Sequence, residues 1–480
     1  MAGNKMPSAT GVRIAGDNYQ WLHVWRVCME ALHHDLTSKT DNPTIAVGVE
    51  EPGVGNGDDV VQHRLRPPHA YTQVKYAVDN RTAVGLNYLA DEGILRKMVA
   101  AHKTLAADGT PVEMRLSTNR TNDPNDLLMQ QREGCDGRLV PRGARGGPTS
   151  ALGKARAAWA EAANTDEANL MAFLEDFHLT IAYDLTRLRD EVSHLMTANG
   201  LRSDDNAVSQ GADWVAAQVR AGHRRLDLDD IKQAITSMGL QSGSPWTTVS
   251  IATIKHDELA AQAAVSIDWV ERIAGEKPWH RVAPATPHTW ADLAADISTV
   301  PSQLGGVRRI LVSGSMRQAT GFLLGAELRR VLGYEIGIRQ GDQLWSSEDA
   351  TNTFRLQVDE HATGSGSETA LIVNIAANAT DAVTDWIRRT GLPVAQIVTA
   401  APAAGVGPRA VTSPAAANSL AVEIRNLARQ NARSEALHLF LIGPLGLAVL
   451  LGHHWNRVTT TRVYEHLGAQ DYVYAYSVDA

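Results

Sequence analysis

The sequence predicts an α/β protein with two domains. Three observations support this fold class: an amphipathic helix followed by short strands opens the chain, apolar strands alternate with helices after residue 308, and a turn-rich segment separates the two patterns. The chain has 480 residues, 44% of them hydrophobic, which is enough to bury two or three domain cores. We expect one domain over residues 1–240 and a second over residues 245–480, joined through the turn cluster QSGSPW (241–246).

Charge and cysteine content narrow the functional class. The chain has 45 Lys and Arg residues and 53 acidic residues, so its net charge is -8. Any contact with nucleic acid must therefore come from a local basic patch. Two cysteines, Cys28 and Cys135, cannot build a disulfide framework or a multi-cysteine zinc site. The apolar run 439–452 is too short to span a bilayer, and no charged-then-apolar leader opens the chain. These features predict a cytoplasmic protein with reduced thiols and no membrane partner.

The N-terminal half begins with a helix and continues with strands. The helix is predicted from Asp17, its N-cap, to His34, and its apolar stripe at helical spacing consists of Trp21, Trp25, Cys28 and Leu32. Strand-like runs follow at residues 44–51, 58–64, 71–77 and 112–118. Helical patterns dominate residues 150–238.

Polar residues on the second and third of these strands form an informative pattern. Asp58 and Asp59 open the second strand, whereas Gln73 and Lys75 lie two residues apart in the third, so their side chains share one face. A hairpin between the strands would bring one of the aspartates beside them. A carboxylate and the Gln73 amide supply the hard oxygen ligands that Mg²⁺ or Mn²⁺ prefers. Lys75 is suited to orient water or to stabilise developing charge during phosphodiester hydrolysis.

This D…(E/Q)xK arrangement is that of restriction-endonuclease-like nucleases. The preceding helix, the consecutive strands and a lysine inside an apolar strand favour this interpretation. The alternative is structural: Lys75 would be a charge at a strand edge, and Asp58 and Asp59 would be turn residues. Glu30 on the first helix would either join the nuclease site or remain a solvated helix charge.

A basic segment begins in the fourth strand. Between residues 115 and 156, eight Lys or Arg residues stand against four acidic ones, and glycine and proline are abundant. The pattern predicts a flexible loop that reaches towards phosphates, or alternatively a loop that is merely solvated.

The C-terminal half alternates apolar strands with helices, which predicts parallel sheets covered on both faces. Ligands of such sheets bind where strand ends meet helix starts. Two such turns fit an anion: Ser315 and Arg317 lie at the first, and Gly443 and Pro444 lie at the second. Trp345 is a candidate for stacking on a base, or alternatively a core residue. No Walker loop, dinucleotide fingerprint or HExxH motif is present.

Two longer segments resemble the signatures of SAVED domains, the cyclic-oligonucleotide sensors of CBASS antiphage systems. The segment ILVSGSMRQATGFLLGAELRRVLGYEIGIRQGDQLWSS resembles the central signature, and HLFLIGPLGLAVLLGHHWNRV with RVYEH resembles the C-terminal one. This likeness spans roughly residues 245 to 480. In the other half, GDNYQ, DDVV, QVK, LSTNRTNDP and SALGKARAAW resemble the nuclease domain that is fused to SAVED in one effector class.

The resemblance implies a restriction-endonuclease-like domain of the PD-(D/E)xK type followed by a SAVED domain of two Rossmann-like, CARF-related units. It implies that a cyclic oligonucleotide, specifically a cyclic trinucleotide, activates cleavage of double-stranded DNA. It also implies a functional link to a bacterial cGAS-like nucleotidyltransferase. The catalytic aspartate corresponds to Asp59 in preference to Asp58, and the QxK motif corresponds to Gln73 and Lys75. Asp59 and Gln73 would hold the metal.

The two Rossmann-like units are expected to share one ligand pocket, to which the resemblance assigns Ser315, Arg317, Trp345, Gly443 and Pro444. We also expect the bound ligand to cause the chain to self-associate into a homo-oligomer.

Two other functions are alternatives to a ligand-activated nuclease. A sensor could bind nucleic acid without cutting it, but the intact motif argues against this. A Rossmann-type enzyme with a dinucleotide cofactor would need the glycine fingerprint that the sequence lacks.

Overall fold

The computed structural model of the protein describes residues 9–479 except 38–39, 56, 134–135, 342, 353, 364–365, 432–434 and 470. The chain folds into two compact units, Met1–Pro245 and Trp246–Ala480. Cys28 is buried in the first unit, and Cys135 lies outside the described residues. None of the helices in the described ranges combines the length and the apolar character needed to cross a membrane.

The first unit is organised around a six-stranded mixed sheet. Its helices and strands are, in chain order, α1 (Ala9–Thr37), β1 (Thr44–Gly48), β2 (Val60–Arg64), β3 (His69–Lys75), α2 (Leu86–Asp91), α3 (Ile94–Leu105), β4 (Val112–Thr118), α4 (Ala151–Ala162), α5 (Glu167–Glu175), β5 (Phe177–Thr180), α6 (Leu185–Ala198), α7 (Asp205–Arg220), β6 (Arg225–Asp227) and α8 (Leu228–Ser237). The strand order is β5-β4-β3-β2-β1-β6. The pairs β3–β4 and β4–β5 are parallel, and the other pairs are antiparallel.

The four strands predicted in this unit are confirmed, and only their ends shift. β4 has the predicted bounds, whereas β2 begins at Val60 and leaves Asp58 and Asp59 in the turn before it. β5 and β6 lie in the region where helical patterns dominate. They have four and three residues, too few for an alternating pattern to stand out from the helices beside them.

The first helix is longer than predicted. α1 spans Ala9–Thr37, so Asp17 lies inside it, and the prediction that Asp17 is the N-cap is wrong. Residues 9–16 contain no proline and extend a helix that packs against α6, α7 and β1. Because packing of this kind stabilises a helix more than any single capping residue, the sequence signal at Asp17 does not decide where it begins. Trp25 and Cys28 are buried as the apolar stripe predicts.

The second unit contains two sheets. Its elements are β7 (Thr247–Ala252), β8 (Val265–Asp268), α9 (Trp290–Ser298), α10 (Val300–Gln303), β9 (Arg309–Ser313), α11 (Gln318–Glu327), β10 (Glu335–Gln340), β11 (Gln343–Ser346), β12 (Leu356–Ala362), β13 (Glu368–Asn374), α12 (Thr380–Thr390), β14 (Val394–Pro402), α13 (Pro414–Gln430), β15 (Leu437–Ile442), α14 (Leu445–His454), β16 (Thr461–Gly468) and β17 (Asp471–Val478). The strand orders are β11-β10-β9-β7-β8 and β12-β14-β13-β15-β16-β17. One hydrophobic core contains residues from both sheets.

The prediction of parallel sheets is correct for the central strands and wrong for three edges. β11, β12 and β17 each pair antiparallel with a neighbour. β11 and β17 follow their neighbours through short turns, and a short turn permits only antiparallel pairing. The central strands are parallel and covered, as their continuous apolar runs predict; β13, for example, is buried along its whole length.

Two helices, one after a central strand of each sheet, pack against each other through glycine. A Cβ on Gly325 of α11 would overlap the carbonyl oxygen of Val449, and a Cβ on Gly452 of α14 would overlap the carbonyl oxygen of Phe322. The helix backbones therefore lie too close for larger residues. This contact brings the starts of α11 and α14 together, so that the Gln318 side chain donates a hydrogen bond to the carbonyl oxygen of Gly443.

Candidate functional site

The hairpin of β2 and β3 brings Asp59, Gln73 and Lys75 together. Val60 lies opposite Thr72 in this antiparallel pair, so Asp59, just before β2, reaches the end of β3. Asp59 Oδ2 accepts hydrogen bonds from the Gln73 side-chain amide and, at 2.7 Å, from the backbone N–H of Val74. Gln73 and Lys75 share a face of β3, as the two-residue period of a strand requires.

Burial controls the protonation of Asp59. Desolvation raises the pKa of this carboxyl to about 6, against the opposing effects of the Val74 N–H group and of the Lys75 charge. The Lys75 ammonium is thus close enough to act on Asp59 electrostatically. At neutral pH the carboxylate form predominates, so Asp59 is available as an anionic ligand.

The oxygen atoms of this cluster fit a hard divalent cation. Gln73 is 2% exposed, and its Oε1 is buried with no hydrogen-bond partner in the described part of the chain, because the amide N–H of the same side chain is the group directed at Asp59. An unpartnered buried oxygen beside a carboxylate suits Mg²⁺ or Mn²⁺, which takes one or two protein ligands and completes its coordination with water and phosphate. Within the described ranges, no three His, Cys, Asp or Glu side chains gather as a metal site.

Asp58 and Glu30, the two other acidic candidates for this site, differ in their roles. Asp58 raises the pKa of Asp59 through its charge, yet it is the Asp59 carboxylate that accepts the hydrogen bonds donated by β3. Glu30 is 4% exposed and forms an ion pair of 2.7 Å with Arg26. The expectation of a solvated helix charge at Glu30 is therefore wrong, since burial next to Arg26 requires an ion pair.

The basic segment 115–156 is largely tied to the fold, and the prediction of a flexible loop is wrong for most of it. Ion pairs hold Arg115, Arg138, Arg142 and Arg156, and Arg156 also donates to backbone carbonyl groups. Its residues include the end of β4, two short 3₁₀ turns and α4. Arg145 and Lys154 are exposed and have no ion-pair partner within the described residues.

The pocket residues predicted in the second unit lie around the starts of α11 and α14. Ser315 follows Gly314, whose φ of +98° and close approach to the Ile251 carbonyl exclude a side chain. Arg317 is the N-cap of α11, and Pro444 is the N-cap of α14. The Nε of Arg317 donates to the Arg281 carbonyl at 2.7 Å, and Nη2 is buried with no partner in the described residues.

Trp345 belongs to the core, as the alternative interpretation states. It lies in β11, is 4% exposed, and its ring packs where a Cβ on Gly446 would stand, 2.8 Å from Cε3. Its indole N–H has no hydrogen-bond partner in the described part of the chain. Trp345 therefore packs against the start of α14 and does not offer a free face for stacking.

Sequence reasoning missed three polar residues that form hydrogen bonds at the starts of α11 and α14. Gln318 joins α11 to Gly443, and Gln340 Oε1 accepts a hydrogen bond of 3.1 Å from the Gly446 N–H. Glu465 on β16 is 6% exposed and accepts a hydrogen bond of 2.9 Å from the Ala319 N–H at the start of α11. The alternation of β16 carried a signal for Glu465, because it continues the buried face that begins with Thr461 and Val463.

Comparisons with known proteins bear on the whole chain. The family model described as "SMODS-associated and fused to various effectors sensor domain", or SAVED, matches residues 293–478. CD-NTase-associated protein 4 from Enterobacter hormaechei subsp. hoffmannii (strain UCI 50) is 23% identical over 94% of this chain and 95% of that protein.

Similar solved structures include two Cap4 SAVED/CARF-domain containing receptors. The one from Acinetobacter baumannii, solved with the cyclic trinucleotide 3′3′3′-cAAA, is 13% identical, covers 97% of this chain and 99% of its own, and has a TM-score of 0.42. The one from Moraxella osloensis is 13% identical with the same coverage and a TM-score of 0.39. From the family match and the curated relative, residues 293–478 form a SAVED sensor domain in a chain homologous to CD-NTase-associated protein 4.

Proposed function

We propose that the protein is a CBASS effector that hydrolyses double-stranded DNA when a cyclic trinucleotide binds to its SAVED domain. The SAVED match and the homology to CD-NTase-associated protein 4 support the sensing part of this proposal. The nuclease part depends on one observation: Asp59, Lys75 and a Gln73 oxygen that has no hydrogen-bond partner among the described residues lie together at the end of β3.

The first unit also has a sheet suited to this chemistry. Its mixed order places β3, which carries Gln73 and Lys75, between the antiparallel partner β2 and the parallel partner β4. Helix α1 packs against the strands of the same sheet. This combination is consistent with the restriction-endonuclease-like domain that the sequence motif predicts.

Each residue of the cluster has a role in phosphodiester hydrolysis. Asp59 and Gln73 would hold a Mg²⁺ or Mn²⁺ ion through one carboxylate oxygen and Oε1. When bound, such an ion polarises the phosphate and lowers the pKa of a water molecule. Lys75 would orient the attacking water and stabilise the negative charge that develops on the phosphate oxygens. The Val74 N–H group fixes the orientation of Asp59 through its hydrogen bond.

DNA would be held by exposed basic residues of the first unit. Arg145 and Lys154 are the members of the basic segment whose charges are exposed and have no ion-pair partner in the described chain. Arg142 is also exposed, and its Nε lies 3.6 Å from a carboxylate oxygen of Glu133, which is a long ion pair. Because the net charge is -8, a few phosphate contacts give weak binding. Association of several chains on one duplex would add their contacts, which is why we propose that the ligand causes homo-oligomerisation.

The test is plasmid cleavage by the full-length protein with Mg²⁺ and a panel of cyclic di- and trinucleotides. We expect cleavage with a cyclic trinucleotide alone among them, no cleavage without a ligand or with EDTA, and none for Asp59→Asn. Asp58→Asn is the matched control and should retain activity. Light scattering with and without the activating nucleotide measures self-association.

Two results would contradict this proposal in different ways. Binding of a cyclic nucleotide without DNA cleavage under any metal condition would favour a sensor that holds nucleic acid without cutting it. A strictly monomeric complex that is fully active would exclude activation by self-association.

A further inference from the structure

The start of α11 already holds an anion that the chain itself supplies. Glu465, which lies on β16, directs a carboxylate oxygen to the Ala319 N–H at 2.9 Å, and the side chain is 6% exposed. The free N–H groups and the dipole of a helix attract negative charge at this end. Glu465 thus occupies a position that the sequence predicts for a phosphate group.

The start of α14 is occupied in a different way. There the Gly446 N–H donates to Gln340 Oε1, which is neutral. The side chain of Gln318 connects the two helix starts through its hydrogen bond to Gly443. The two helix N-termini therefore lie next to each other, and one faces a carboxyl group whereas the other faces an uncharged amide.

Two ionisable groups of the described residues interact with the charge of Glu465. The Arg317 cation favours the ionised carboxyl, and Tyr476 on β17 is a titratable neighbour. Arg317 is engaged with the Arg281 carbonyl, and it has one buried nitrogen without a partner in the described chain. The same guanidinium is the group that we expect to bind a ligand phosphate.

We propose that Glu465 is a specificity-determining residue of the nucleotide pocket, an internal anion that opposes a ligand phosphate for the start of α11 and for Arg317. The inference rests on the proposed cyclic-nucleotide function. A phosphate that approaches Arg317 is repelled by the ionised carboxylate, and it is accepted when Glu465 is protonated. The residue thereby limits how tightly anionic ligands bind in the absence of better contacts.

The protonation of Glu465 makes this effect depend on pH. Burial raises the pKa of the carboxyl to about 7, although the Ala319 N–H group and Arg317 favour the charged form. A bound phosphate would raise the pKa further, so by linkage the affinity is highest below pH 7 and falls as the pH rises through 7. Each unit by which the ligand raises this pKa corresponds to about a tenfold loss of affinity at high pH.

The experiment measures binding of 3′3′3′-cyclic triadenylate, and of each member of a cyclic di- and trinucleotide panel, by calorimetry between pH 6 and pH 8.5. It compares the full-length wild type with Glu465→Gln, which keeps an acceptor for the Ala319 N–H but carries no charge. The control is Glu327→Gln, a partly buried carboxyl at the other end of α11 whose pKa is also raised by burial. Thermal unfolding of each variant verifies that it folds.

We expect Glu465→Gln to bind about tenfold more tightly than the wild type at pH 8 and equally at pH 6, whereas Glu327→Gln follows the wild type. Equal affinity of Glu465→Gln and the wild type at every pH would overturn the inference. If the variant does not fold, the wild type alone decides, because affinity that is constant from pH 6 to pH 8.5 also overturns it. Absence of binding at every pH would instead reject the proposed ligand, and with it this inference.

Discussion

Two carboxyl groups, Asp59 in the first unit and Glu465 in the second, have similar surroundings but point to different ligands. Burial raises the pKa of both, to about 6 and about 7, and each accepts a hydrogen bond from a backbone N–H, Val74 for Asp59 and Ala319 for Glu465. The two carboxyl groups differ in the neighbouring polar atoms that lack a hydrogen-bond partner among the described residues. Among the described residues, the polar atom without a partner next to Asp59 is an acceptor, Gln73 Oε1, whereas next to Glu465 it is a donor, Arg317 Nη2. A carboxylate with a spare acceptor suits a cation, and a carboxylate beside a spare cationic donor opposes an anion.

The largest effect is expected from a variant that disables only the cluster of Asp59, Gln73 and Lys75. Lys75→Ala removes the cation that would stabilise developing charge, and we expect DNA cleavage to fall by about 100- to 1,000-fold. Nucleotide binding should be unchanged, because the SAVED domain lies in the other unit. Lys97→Ala, a change of an exposed lysine on α3, is the control and should cleave normally. Wild-type cleavage by Lys75→Ala would reject the site.

A second variant tests whether the proposed nucleotide site of the second unit depends on the close approach of α11 and α14. Gly325→Ala places a Cβ against the Val449 carbonyl, so we expect a loss of about 1–3 kcal/mol in the stability of this unit. The melting temperature should fall, and nucleotide affinity should fall with it. Gly16→Ala, at a helical glycine with open space around it, should leave the melting temperature equal or higher. An unchanged melting temperature for Gly325→Ala would show that the helices can separate without cost.

Acid should change the ligand affinities of the two sites in opposite directions: metal binding at Asp59 should weaken, and nucleotide binding near Glu465 should strengthen. Because the pKa of Asp59 is about 6, protonation below that pH removes the anionic ligand, and Mn²⁺ affinity should fall about tenfold for each pH unit. Nucleotide binding strengthens over the range in which Glu465 becomes neutral. Electron paramagnetic resonance of free Mn²⁺ measures the first effect without any cleavage assay. Asp59→Asn should bind weakly at every pH, and a wild-type affinity that is constant from pH 7 to pH 5 would contradict the assignment.

The smallest expected effect concerns contact with DNA. Arg145→Ala removes one exposed charge that has no ion-pair partner among the described residues, so we expect a few-fold weaker DNA affinity and a salt dependence reduced by about one ion. Arg138→Ala is the matched control, since Arg138 is already engaged with Asp136 and should change the salt dependence less. Fluorescence anisotropy at several salt concentrations distinguishes them, and equal effects would remove the basic segment from the interface.

The sequence alone predicted the parts of the fold that follow from local pattern. β4 and the central parallel strands agree with their apolar runs, and the pairing of Asp59 with Gln73 agrees with a hairpin of β2 and β3. The strands β5, β6 and β11 were missed because they have only three or four residues, and β12 was missed because it is largely exposed. The SAVED resemblance came from longer segments, whose order along the chain adds information that no single strand contains.

What the sequence determined by itself is chemistry that depends on neighbours close in the chain: two-residue spacing on β3, apolar periodicity, and a glycine at a strand end. Only the tertiary structure decided that Asp59 is the aspartate bonded to β3, that most arginines of the basic segment are paired, and that Glu465 faces α11. The Ala319–Glu465 bond joins residues 146 positions apart. Such contacts arise from the packing of helices and sheets that fold back on each other, and a one-dimensional pattern does not specify them.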